Sequence, residues 1–188
     1  MEIPGTLSER FPFLDTLEED WEPVSRPVFW IALAFYVLMI VNAATRGHLL
    51  QWIDLVFIPI HEGGHLFFRF FGEWVTVAGG TFLQLFVPFA LAVHFAFRRQ
   101  ITGVTFCSFF FFEQFLPIGV YMADARAQEL PLLTVGDSEV VIHDWFYLFS
   151  HAGVLEHDTQ IGATVRVVGW IGMLATVGWF AVRSWRKA

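Results

Sequence analysis

His61 and His65 stand four residues apart in the run His61-Glu62-Gly63-Gly64-His65. On a helix that spacing projects both imidazoles from one face, a turn apart. Two neutral imidazoles so placed can share one zinc ion at about 2.0–2.1 Å. Glu62 follows His61 directly, where its carboxylate is expected to reach a water in the metal's open position. The metal brings the pKa of such a water to about 7, and Glu62 takes up its proton. The five residues therefore predict a zinc site with Glu62 as general base, a chemistry that hydrolyses amide bonds. Gly63 and Gly64 weaken a helix but let a neighbouring backbone come close.

The setting of this motif is apolar. Of 188 residues, 56% are hydrophobic and only 15% charged, with 23 Phe and 8 Trp. Such a composition excludes a soluble globular domain, which carries about 25% charge, and a disordered chain. Five stretches are long enough to cross roughly 30 Å of hydrocarbon: residues 28–44, 49–71, 75–97, 101–123 and 161–185. The expected fold is all-α, a polytopic membrane protein of about five transmembrane helices with a short interfacial helix. Residues 1–27 are expected to form an acidic interfacial arm and 28–188 a single transmembrane helical domain. Within it, the 124–160 loop holds Asp144 as cap of the short interfacial helix. The arm lacks the charged-then-apolar start of a removable signal, so the first span is expected to direct insertion. Strand signals are nearly absent.

An acid at mid-membrane costs about 2.5–3.5 kcal/mol, so three ionisable groups inside one apolar span need a reason. Zinc binding, worth on the order of 10–16 kcal/mol at structural sites, supplies one. The lone Cys107 excludes a disulfide framework and a cysteine-rich zinc finger. A net charge of −7 with no basic tract argues against nucleic acid as a partner.

The run Ile58-Pro59-Ile60-His61-Glu62-Gly63-Gly64-His65-Leu66, lying wholly within an apolar span, resembles the site-2-protease-like membrane zinc metalloproteases. The resemblance implies His61 and His65 as zinc ligands, Glu62 as the base, and a distant Asp on another span as third ligand. The family's later motif, an Asp followed by Gly near an Asn-Pro, does not occur in this chain. In that family polar groups near the metal hold an extended substrate strand, which implies such a substrate-binding role for Gln84.

Parity of the spans narrows the third ligand. The C-terminal end of the second span shares a side with the start of the third, the end of the fourth and the 124–160 loop. Asp124, closing the fourth span, comes first. His143 and Asp144 follow, either as a ligand or as a carboxylate orienting one, and Glu113 is third. His94, His48, His151 and His157 are weaker candidates, and Asp54 is expected in packing between helices.

The expected function is a membrane-embedded zinc metalloprotease hydrolysing a peptide bond within or beside the bilayer. Its partners would be the lipid bilayer and a membrane-protein or peptide substrate. The alternative is a non-proteolytic membrane protein with a structural or vestigial metal site. With five spans, Arg46, Arg98, Arg99, Arg183, Arg186 and Lys187 fall on one side, and Arg10, Arg26, Arg126 and nearly all the acids on the other, with Arg69 at its edge. The richer side is cytoplasmic by the positive-inside rule, which leaves the N-terminus and the site side non-cytoplasmic.

Overall fold

The computed structural model describes residues 21–45, 47–130 and 143–185. Most of the acidic arm, residues 131–142 of the long connection, and Arg10, Arg46, Arg186 and Lys187 lie outside the described residues. Among the described residues all regular structure is helical: α1 (Arg26–Ala44), α2 (His48–Phe68), α3 (Glu73–Phe97), α4 (Ile101–Glu113), α5 (Phe115–Ala123), α6 (Asp144–Ala152) and α7 (Asp158–Trp185), with two 3-10 turns at Arg69–Phe71 and Leu155–His157.

Local chemistry sets the boundaries. Pro27 opens α1, where its missing N–H costs nothing. Asn42 near the end of α1 then caps the next helix: its Oδ1 accepts from the Leu50 N–H (3.0 Å), which pins the start of α2 to the end of α1. Gly72 turns the chain between α2 and α3 at φ 94°, a conformation that favours glycine. α4 and α5 are one rod interrupted at Gln114. Pro117 has no N–H to donate to the Glu113 carbonyl, so the helical ladder breaks there.

Among the described residues four helical segments are long and apolar enough to cross a membrane: Arg26–Ala44, Glu73–Phe97, Ile101–Ala123 and Leu155–Trp185. α2, the expected second span, is not among them, because Asp54, His61, Glu62 and His65 lower its hydropathy. Many apolar side chains point outward, Ile31, Trp52 and Phe70 among them. Packing between helices rests on small residues. The Gly119 and Gly162 backbones of α5 and α7 lie against one another, and a Cβ added to Gly119 would come 2.6 Å from the Gly162 carbonyl.

The bundle has two distinct ends. At one, α1 begins where α7 finishes: Phe29 stacks on Phe180 with centroids 5.7 Å apart, and Trp30 meets Trp185 at 6.3 Å. The turn between α3 and α4 is there too, since the Glu22 N–H donates to the Arg99 carbonyl (3.0 Å). At the other end lie the start of α3, the end of α5, α6 and the start of α7. Arg126 there pairs with Asp158 (2.8 Å), and the Asp144 N–H donates to the Tyr121 hydroxyl (3.1 Å). The last helix thus returns to the end from which the first departs.

Candidate metal centre

The α2–α3 hairpin brings the two histidines to the backbone of the next helix. A Cβ on Gly64 would run into the Gly79 carbonyl and lie 2.8 Å from the Gly80 Cα, so only glycine allows this approach. Across the seam, a Cβ on Gly80 would sit 2.5 Å from His65 Nε2 and 2.7 Å from His61 Nε2. The imidazoles therefore occupy the space a side chain at position 80 would fill.

The two Nε2 atoms are 3.1 Å apart. Asp144, the first residue of α6, places Oδ2 3.0 Å from His61 Nε2 and 3.4 Å from His65 Nε2. These three groups are the one His/Cys/Asp/Glu cluster of metal-binding spacing among the described residues. Asp144 is 10% exposed and the histidines 16% and 24%, so the site is sheltered but reachable.

Hydrogen bonds on the far side of each ring fix the tautomers. His61 Nδ1 lies 2.9 Å from Gln84 Oε1 and His65 Nδ1 lies 2.9 Å from the Thr76 carbonyl. Both partners can only accept, so both Nδ1 atoms carry the proton and donate it. Both Nε2 atoms then present lone pairs to one another and to a carboxylate oxygen. Three acceptors within 3.4 Å repel unless a cation lies among them. A proton can bridge one edge of this triangle, whereas a metal ion serves all three corners. Ligands about 2.0–2.1 Å from a tetrahedral zinc stand roughly 3.3 Å apart, close to the observed 3.0, 3.1 and 3.4 Å. The donor set of two imidazoles and one carboxylate fits zinc.

The other expected site residues fall as follows. Asp124 does not stand with the histidines. Its carboxylate accepts from the Glu129 and Leu130 N–H groups (3.0 and 3.1 Å) and faces His143 Nε2 at 3.4 Å. Its place is in the turn that closes α5. His143 caps α6, its Nδ1 accepting from the Phe146 N–H (3.2 Å), so that lone pair is taken. Tyr121 lies against its ring, centroids 4.2 Å apart. Glu113 is buried on Gln114 Nε2 (2.7 Å), away from the histidines. Gln84 has both amide atoms on protein partners, His61 and Gln114. Glu62 is half-buried. His94, His151 and His157 are exposed, and the side chain of His48 lies outside the described residues. Asp144 carries a signal that a sequence can show, an acid heading an amphipathic helix, but capping explains that signal equally well.

No family model, curated protein or solved structure matches the chain.

Proposed function

We propose that this chain is a membrane-embedded zinc hydrolase that cuts a peptide bond at the bilayer surface. The observation that carries the proposal is the convergence of two tautomer-fixed imidazole lone pairs and one carboxylate on a single point beside Glu62. His61, His65 and Asp144 would hold the ion. Held there, zinc would supply Lewis acidity to a substrate carbonyl and acidity to an attacking water. Glu62 follows a ligand on the same helix turn, which suits it to take the proton of that water and pass it to the departing amine. A C–O bond forms as the C–N bond breaks, and the carboxylate ends as it began. A set of three protein donors suits a hydrolytic site, whereas closed structural sites use four.

In this reading α1, α3, the α4–α5 rod and α7 cross the membrane, while α2 lies obliquely, its C-terminal end at the site end, without completing a crossing. An even number of crossings agrees with α1 starting where α7 ends. Among the described residues that end carries Arg26, Arg98, Arg99 and Arg183, whereas the site end carries Arg69 and Arg126, with Arg166 two turns into α7 from it. The positive-inside rule then makes the arginine-rich end, with the start of α1, cytoplasmic and leaves the metal centre on the other side. The exposed Phe67, Phe70, Phe71 and Trp74 around the α2–α3 turn suit the membrane–water boundary.

The test is metal analysis of the purified chain together with cleavage of labelled model transmembrane helices in micelles. Wild type should carry one zinc per chain. D144A should lose it while D124A keeps it. E62Q should keep zinc and lose cleavage by about 10²–10⁴-fold, the usual contribution of a general base. A chain that holds iron, a D144A that keeps zinc, or an E62Q as active as wild type would each overturn the proposal.

A further inference from the structure

Five polar side chains run from the metal centre into the apolar core, and their hydrogen bonds have one direction. Asp54 of α2 and Glu113 of α4 both face Gln114, at the α4–α5 break. Gln114 Nε2 donates to Glu113 Oε2 (2.7 Å) and to Asp54 Oδ1 (3.2 Å). With its nitrogen turned to the acids, its Oε1 is left to accept from Gln84 Nε2 (2.6 Å). With that nitrogen engaged, Gln84 presents Oε1 to His61 Nδ1 (2.9 Å). Glu113 and Gln114 are buried to within 1% and Gln84 to within 9%. Groups this deep in an apolar core are costly unless each finds a partner.

From this chain we infer that Gln84 and Gln114 are positioning residues that hold His61 in its metal-binding tautomer, with Asp54 and Glu113 setting the direction of both amides. The inference rests on the metal reading above. An amide turned the other way would present N–H to His61 Nδ1, drive the imidazole proton to Nε2 and point N–H into the place an ion needs. His65 needs no such chain, because its Nδ1 meets the Thr76 backbone carbonyl, which cannot be flipped. The arrangement also accounts for the acid inside α2 that packing alone leaves unexplained: Asp54 lies two turns before His61 and orders the same ring through two intervening amides. Outer partners of this kind commonly matter about 10–100-fold in metal affinity.

The test uses the full chain in micelles, with zinc itself as the probe and ¹⁵N spectra of the metal-free histidines as a second readout. Wild type should show a lone pair at Nε2 of both His61 and His65. Q84M removes the acceptor while keeping length and bulk. His61 should then become a mixture of tautomers with His65 unchanged, and zinc affinity should fall about 10–100-fold. Q84E keeps an acceptor and should hold affinity much better than Q84M. A residue that only fills space would behave the opposite way, tolerating the apolar methionine and rejecting the buried charge. Q114M frees the Gln84 amide without touching the imidazole, and should shift His61 in the same direction by a smaller amount; it decides the matter should Q84M fail to fold. An unchanged His61 spectrum in the folded variants, or Q84E weaker than Q84M, would overturn the inference. A wild type that takes up no zinc would sink the metal reading instead, while the metal-free spectra would still decide whether the amides set the tautomer.

Discussion

Asp124 and Asp144 lie at the same end of the bundle, and their hydrogen bonds separate their roles. Asp124 spends its carboxylate on two backbone N–H groups of the following turn, whereas Asp144 turns its Oδ2 to the imidazoles. From sequence the two are alike: both are acids in the right region, and parity of the spans admits both. What distinguishes them is which backbone donors the chain folds against each, and that depends on contacts between distant segments. His61, Glu62 and His65 are legible because one helical turn defines their relation. His143 has its own consequence. Burial holds its pKa below the ordinary imidazole value, against the pull of the Asp124 carboxylate, and its neutral Nδ1 caps α6. A depressed folded value means that its contribution is complete above the unfolded value of about 6.5 and fades as pH falls below it. H143A should cost about 0.5–2 kcal/mol of stability, the usual worth of a cap, and should weaken zinc binding by loosening Asp144. H143N, itself a good cap, should restore both and remove this part of the acid sensitivity. Thermal unfolding and zinc titration across pH 5–8 check the prediction, and an H143N no better than H143A would refute the capping role.

Among the elements, the α2–α3 hairpin sets the geometry on which the centre depends. Gly64 and Gly80 face opposite partners across one seam: backbone for the first, imidazoles for the second. Their substitutions should therefore fail differently. G64A forces a methyl into the Gly79–Gly80 backbone and should lower stability by about 1–3 kcal/mol, as overpacking does. G80A should keep the fold more nearly intact but displace both rings, so zinc binding falls much further than stability. G178A, with nothing within 4 Å of its added carbon, is the control and should stay within about 0.5 kcal/mol. Denaturation and zinc titration of the three variants separate these outcomes. Close approach at Gly64 is readable from the glycine pair, whereas Gly63 makes only an ordinary contact with Leu83. The amide chain beneath is not readable, since Gln84 and Gln114 are 30 residues apart and a glutamine in an apolar helix shows no direction until its neighbours are placed.

For the whole molecule, the path of the chain turns on α2. Its length suggests a crossing, but its polar residues lower its hydropathy, and hydropathy read over five stretches gave five crossings. Contacts between α1 and α7 settle where those helices lie relative to one another: Phe29 on Phe180, and Trp30 against Trp185. Nothing local to either helix announces those pairings. The proposed four-crossing path predicts that cysteines at Glu22 and Trp185 react with an impermeant thiol reagent from one side of the membrane, and one at Glu129 from the other. The background should be C107S, which removes the chain's single native cysteine. Labelling of positions 22 and 129 from the same side would restore an odd number of crossings.

Two of the three proposed ligands belong to the α2 segment and the third to α6, 83 positions after His61. A chain severed between Leu130 and His143 would yield two polypeptides, each with an incomplete grip on the ion. α7 still carries the glycine surface that fits α5, so the pieces should find each other when made separately in one cell. Zinc captured by the mixture and by neither piece alone would then count correctly reassembled molecules, turning the ion into a reporter of how this bundle is put together.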